Sequence, residues 1–141
     1  MTSFKARLVA AVGAAFLAMV FVSPASPAMA SAKSCAPEPN GHLQTCVYVN
    51  GSGLHINYMQ GSVYNDIGAI TASNVHIELT GPNGHFIKNC AQTNINPGQT
   101  IYCTWSPNAN EPAGNYCATS WQLQPGGGYL SRGRPCVGVV A

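Results

Sequence analysis

The chain has 141 residues, of which only 7% are charged, and a formal net charge of +2. A typical globular domain carries about 25% charged residues, so Asn, Gln, Ser, Thr and Gly must do most of the solvating here. Sparse Lys and Arg exclude the clustered cationic surface that nucleic acid demands, and so neutral a surface steers no charged partner over distance.

The N-terminus reads as an export signal. Lys5 and Arg7 precede an uncharged apolar run, Leu8 to Val22, which Ser23-Pro24 breaks before an Ala28-Met29-Ala30 cleavage pattern. This is the order of a secretory signal peptide over residues 1–30, with cleavage expected after Ala30. The run is about 15 residues, short of the ~18–20 that span a bilayer, and no later segment approaches that length. Residues 31–141 are then expected as one secreted, extracellular domain without a membrane span. Its four cations (Lys33, Lys88, Arg132, Arg134) balance its four acids (Glu38, Asp66, Glu78, Glu111).

All six cysteines (Cys35, Cys46, Cys90, Cys103, Cys117, Cys136) follow the cleavage point. An even number in a small exported chain predicts three disulfides. No C-x2-C pair offers a zinc or redox site. The expected pairing is sequential: Cys35 with Cys46, Cys90 with Cys103, Cys117 with Cys136.

Residues 31–44, with Pro37, Pro39 and Asn40-Gly41, read as an irregular arm. Thr45–Val49 is β-branched and aromatic, a first strand, and Asn50-Gly51-Ser52-Gly53 is a hairpin-type turn. Leu54–Met59 alternates, with Leu54, Ile56 and Tyr58 expected inward. Val75–Leu79 alternates cleanly, with Val75, Ile77 and Leu79 inward. The turn Gly81-Pro82-Asn83-Gly84 leads to a return strand, Phe86–Cys90, and Asn96-Pro97-Gly98 turns again. Ile101–Trp105 places Ile101, Cys103 and Trp105 on one face. The loop 106–113 follows. Gly114–Leu123 is expected to bury Cys117, Thr119, Trp121 and Leu123 and to expose Tyr116, Ala118, Ser120 and Gln122. Beyond the Pro125–Gly128 tip, Tyr129–Val140 closes the sheet. No helical periodicity with caps is found. The fold class is therefore all-β: a small disulfide-stapled β-sandwich of about seven antiparallel strands.

The run Glu111-Pro112-Ala113-Gly114-Asn115-Tyr116-Cys117 resembles the E–F corner of the immunoglobulin-like sandwich, where an acidic residue and a Tyr precede a cysteine. The resemblance implies sandwich architecture and, since that fold hosts many functions, no particular activity.

No nucleophile elbow, zinc-protease motif or phosphate loop is present. Glu78 and Glu111 are the acids considered for glycosidase chemistry. Nothing local supports that pair. His55, His76 and Glu78, on outward strand faces, could form a surface metal site, but exposed histidines and a cross-strand polar pair are the preferred reading. No catalytic residue, metal or cofactor is assigned, and the chain is read as a non-enzyme. Tyr102 and Tyr116, expected to face away from the core, are candidates for stacking on an uncharged glycan. The leading reading is a binding protein for such a glycan or an extracellular protein; the alternative is an inhibitor of a secreted hydrolase acting through the loop 106–113, with Asn108, Asn110 and Glu111, held between Cys103 and Cys117. A third class is a small secreted enzyme. Asn50-Gly51-Ser52 matches an N-glycosylation acceptor, which matters only in a eukaryotic secretory pathway.

Overall fold

A computed structural model describes residues 31–39 and 41–141. The expected signal peptide (1–30) and Asn40 of the expected arm lie outside the described residues. Among the described residues eleven strands form two antiparallel sheets packed face to face. The first sheet contains β1 (Ala32–Pro37), β2 (Leu43–Ser52), β3 (His55–Asn65) and β7 (Thr100–Trp105) in that order, with the short β8 (Ala109–Asn110) also pairing β3. The second contains β4 (Ala72–Thr80) and β9 (Gly114–Leu123) at its centre. On one side β5 (Phe86–Asn89) and β6 (Thr93–Ile95) pair β4; on the other β10 (Tyr129–Gly133) and β11 (Cys136–Val139) pair β9. Among the described residues no helix is long and apolar enough to cross a membrane.

The core lies between the sheets. Val47, Val49, Ile56, Met59 and Val63 of the first sheet meet Val75, Ile77, Leu79, Tyr116 and Ala118 of the second, each 1% exposed or less. Alternation puts these side chains on one face of each strand. The sheets pack tightly at Gly61, where a Cβ would sit 2.7 Å from Ile77 Cγ2 and 3.0 Å from Ala118 Cβ. A larger residue at either position would hold the sheets apart. The hydroxyls of Thr45 and Ser120 hydrogen-bond across the same interface, so neither buried polar group is orphaned.

All three expected disulfides are present. Cys35–Cys46 and Cys117–Cys136 join directly opposed residues of paired strands, with Cα atoms 4.0 and 4.1 Å apart. Cys90–Cys103 ties the end of β5 to β7, and so one sheet to the other.

Four expectations are corrected. Residues 31–44 are not an irregular arm: β1 pairs β2 over six residues, and Cys35 is part of its ladder. Tyr58 does not face the core. Gly51 pairs Ile56 and Asn50 pairs Tyr58, so Asn57 is an extra residue in a β-bulge. The bulge reverses the alternation, turning Met59 inward and Tyr58 outward. On β9 the face turned to the other sheet carries Tyr116, Ala118 and Ser120; Cys117 and Thr119 are buried as expected but on the opposite face, where Trp121 is half-buried. Finally, the strand expected over Tyr129–Val140 divides at Arg134-Pro135, since proline has no N–H to give to the ladder.

Candidate functional site

The register of the first sheet arranges its outer face in rows. Lys33, Tyr48, Gln60 and Thr104 lie side by side across β1, β2, β3 and β7. Cys35, Cys46, Ser62 and Tyr102 form the next row, and Pro37, Gln44, Tyr64 and Thr100 the third. The middle row is low, because a disulfide and a serine occupy three of its four places. The flanking rows carry longer side chains, and Tyr102 closes one end. Rows two residues apart along a strand are separated by about 6.6 Å, and strands by about 4.8 Å, so the low row is a trough running across the sheet. Its volume is about 400 Å³, within the size range of small-ligand sites.

Four of the six tyrosines stand on this face: Tyr48, Tyr58, Tyr64 and Tyr102. Tyr102 is 62% exposed. Tyr48 and Tyr58 pack ring against ring, with centroids 5.7 Å apart. Asn57 donates to Asn50 Oδ1 at 2.8 Å, and Asn50 donates in turn to the Tyr48 hydroxyl at 3.2 Å and to Ser31 Oγ at 3.1 Å. The Asn50 contact, followed by that of Ser31, holds the Tyr48 phenol below its ordinary value. Partial burial, followed by the nearby Tyr48, raises that of Tyr58. Gln60 Nε2 donates to Thr104 Oγ1 at 3.0 Å, which ties the two neighbouring side chains of this row together. The described lining contains rings, amides, hydroxyls and one lysine, but no carboxylate or histidine.

Other expected site residues fall elsewhere. Tyr116 is 1% exposed, and its hydroxyl donates to the Pro112 carbonyl at 2.9 Å. It is a core residue, so the expectation of an exposed stacking ring is corrected. The segment 106–113 is not a free loop: β8 pairs Asn110 with His55 and Ala109 with Ile56, and the Glu111 amide donates to Leu54 O at 2.8 Å. Asn108 is exposed at φ +47°, its Oδ1 3.3 Å from His55 Nε2. Asn108, Asn110 and Glu111 thus sit beside the start of β3, away from the Tyr102 trough. Tyr58 and Tyr64 were missed as site residues; their signal is the outward face of β3, which the bulge conceals.

Other concavities lie outside this face. On the outer face of the second sheet, His76, Glu78, Asn89, Trp121 and Tyr129 surround a shallow cleft. His76 meets the Tyr129 ring edge-on at 4.8 Å, and burial pushes its imidazole below the ordinary value, with Glu78 partly opposing. His55 belongs to the other sheet, so the set His55, His76 and Glu78 is not assembled. Among the described residues no group of three metal-ligating side chains comes together. Glu111 lines a pocket at one end of the sandwich, apart from Glu78.

No family model, curated protein or solved structure matches this chain.

Proposed function

We propose that this is a secreted, non-catalytic binding protein whose ligand is an uncharged glycan, held in the trough of the first sheet. The observation that carries the reading is the convergence of four tyrosines with Gln44, Gln60 and Thr104 on one face. Flat rings offer stacking surface to the C–H face of a sugar, and amides and hydroxyls pair with its hydroxyls. A lining without carboxylates offers no acid–base pair for hydrolysis. Export is supported by the leader pattern and by three disulfides, which persist in oxidising compartments.

The sandwich itself we read as immunoglobulin-like. Taking β2, β3 and β7 as A, B and E places β4, β9 and β10 as C, F and G on the opposite sheet. The Tyr116–Pro112 hydrogen bond near the start of β9 is the kind of contact a tyrosine corner makes in that fold. The inhibitor alternative draws less support, because the backbone of the segment it needs is engaged by β3.

The test is a screen of neutral oligosaccharides with the mature protein and its Tyr102→Ala and Tyr48→Ala variants. Loss of a stacking ring, worth about 1 kcal/mol or more, should weaken binding at least about fivefold, with thermal unfolding of Tyr102→Ala unchanged. Glycan binding that both variants retain in full would place the site elsewhere. Failure to bind any neutral oligosaccharide would remove the proposal.

A further inference from the structure

At one end of the sandwich, the turn Pro82–Gly84, the start of β5, the end of β7 and the segment leading into β9 enclose a pocket of about 400 Å³. Its walls are apolar: Phe86, Ile87, Trp105 and Pro112, with Tyr116 as floor. The Tyr116 hydroxyl is already committed to the Pro112 carbonyl, so the floor offers its ring and not a free donor. One carboxylate, Glu111, stands in this lining. Among the described residues no Lys or Arg lines the pocket; Asn83 and His85 are its other polar side chains, and His85 forms no ion pair with Glu111. Among the described residues the only ion pair is Arg132–Glu38, which leaves Glu111 without a cationic partner. The Glu111 charge is felt at the floor: the Tyr116 phenol is raised chiefly by burial and further by this carboxylate.

An unpaired carboxylate beside aromatic and proline walls is matched by a cation that is itself mostly apolar. A metal ion or a bare ammonium would give up strong hydration that such walls cannot replace. A methylated ammonium carries its charge under alkyl groups, gives up little hydration, and is attracted both by ring faces and by a nearby negative charge. We propose that this end pocket binds an alkylated ammonium of the choline type, with its charge set against Glu111 and its methyl groups against Trp105 and Phe86. The site is separate from the tyrosine trough and does not rest on the glycan reading.

The experiment titrates the mature protein with choline and with its carbon isostere, in which a neutral tert-butyl group replaces trimethylammonium, following the Trp105 indole resonance. Choline should bind and shift that resonance, and the isostere should bind at least about tenfold more weakly, the cation–π and carboxylate attraction being worth some 1–2 kcal/mol. Glu111→Gln should weaken choline at least about fivefold and leave the isostere unchanged. Phe86→Ala, at a residue 56% exposed and so safe for the fold, should weaken choline as well. Tyr102→Ala should have no effect on choline. Co-sedimentation with phosphatidylcholine vesicles would assign the cation to a lipid headgroup, and binding of soluble choline alone to a free metabolite. Equal binding of choline and isostere, indifference to Glu111→Gln, or no choline binding up to about 50 mM, far beyond a useful affinity, would each overturn the proposal.

Discussion

The hydroxyl of Tyr116 is satisfied by a single backbone carbonyl, that of Pro112, at the base of a fully buried ring. Tyr116→Phe removes that bond and should cost about 0.5–1.5 kcal/mol, read as a lowered urea midpoint with an unchanged slope; an unaltered midpoint would mean that water replaces the bond. His76 supplies a pH dependence of definite sign. Burial keeps its folded-state value below the ordinary one, whereas the unfolded imidazole takes up a proton near pH 6.5. The unfolded chain therefore binds more protons below that pH, and stability falls as pH drops from about 6.5 towards the lower folded value. His76→Asn should make that fall shallower; an equally steep fall between pH ~7.5 and ~5 would assign the effect to other groups. The sequence made β9 visible as a strand but not its inward face. One side of Gly114–Leu123 offers Tyr116 and Ala118, the other Cys117, Trp121 and Leu123, so apolar content alone points to the wrong face. The choice is made by what stands opposite: Gly61 admits Ala118, and Thr45 satisfies Ser120. A cysteine was a poor guide, because Cys117 is bridged to Cys136 on the neighbouring strand and needs no place between the sheets.

Among the elements, β1 shows how a disulfide can substitute for propensity. Ala-Lys-Ser-Cys-Ala-Pro has no β-branched residue and ends in proline, so nothing in it alone signals a strand. Its register is nonetheless pinned by the bridge from Cys35 to Cys46, and Pro37 is tolerated because β1 is an edge of the sheet. Glu38, just beyond it, pairs with Arg132 of β10 and fastens this edge to the other sheet. Replacing both Cys35 and Cys46 with Ala should cost about 2–3 kcal/mol and loosen β1. Amide exchange should then rise in Ala32–Pro37 while the β4–β9 ladder stays protected; uniform protection would show that pairing alone holds the strand. The long alternating strands and the Gly/Pro turns were legible in the sequence. The tyrosine face was only partly so, because Tyr58 and Tyr64 join it through the bulge at Asn57, and a bulge leaves no pattern in a single sequence.

For the whole molecule, the balance of four cations and four acids in residues 31–141 sets the character of its interactions. A glycan held by rings and amides releases few ions, so its affinity should change less than about twofold between ~50 and 200 mM salt. A tenfold loss over that range, followed by titration calorimetry, would indicate an anionic ligand gripped by Lys33. The most direct measurement of the central claim is backbone and side-chain chemical-shift mapping of the mature protein on addition of a neutral oligosaccharide that it binds. The account predicts perturbations confined to the outward residues of β2, β3 and β7, centred on Tyr48, Gln60, Ser62 and Tyr102, with Trp121 and residues 106–113 unmoved. Perturbations centred on Trp121 and His76, with Tyr102 unmoved, would contradict it.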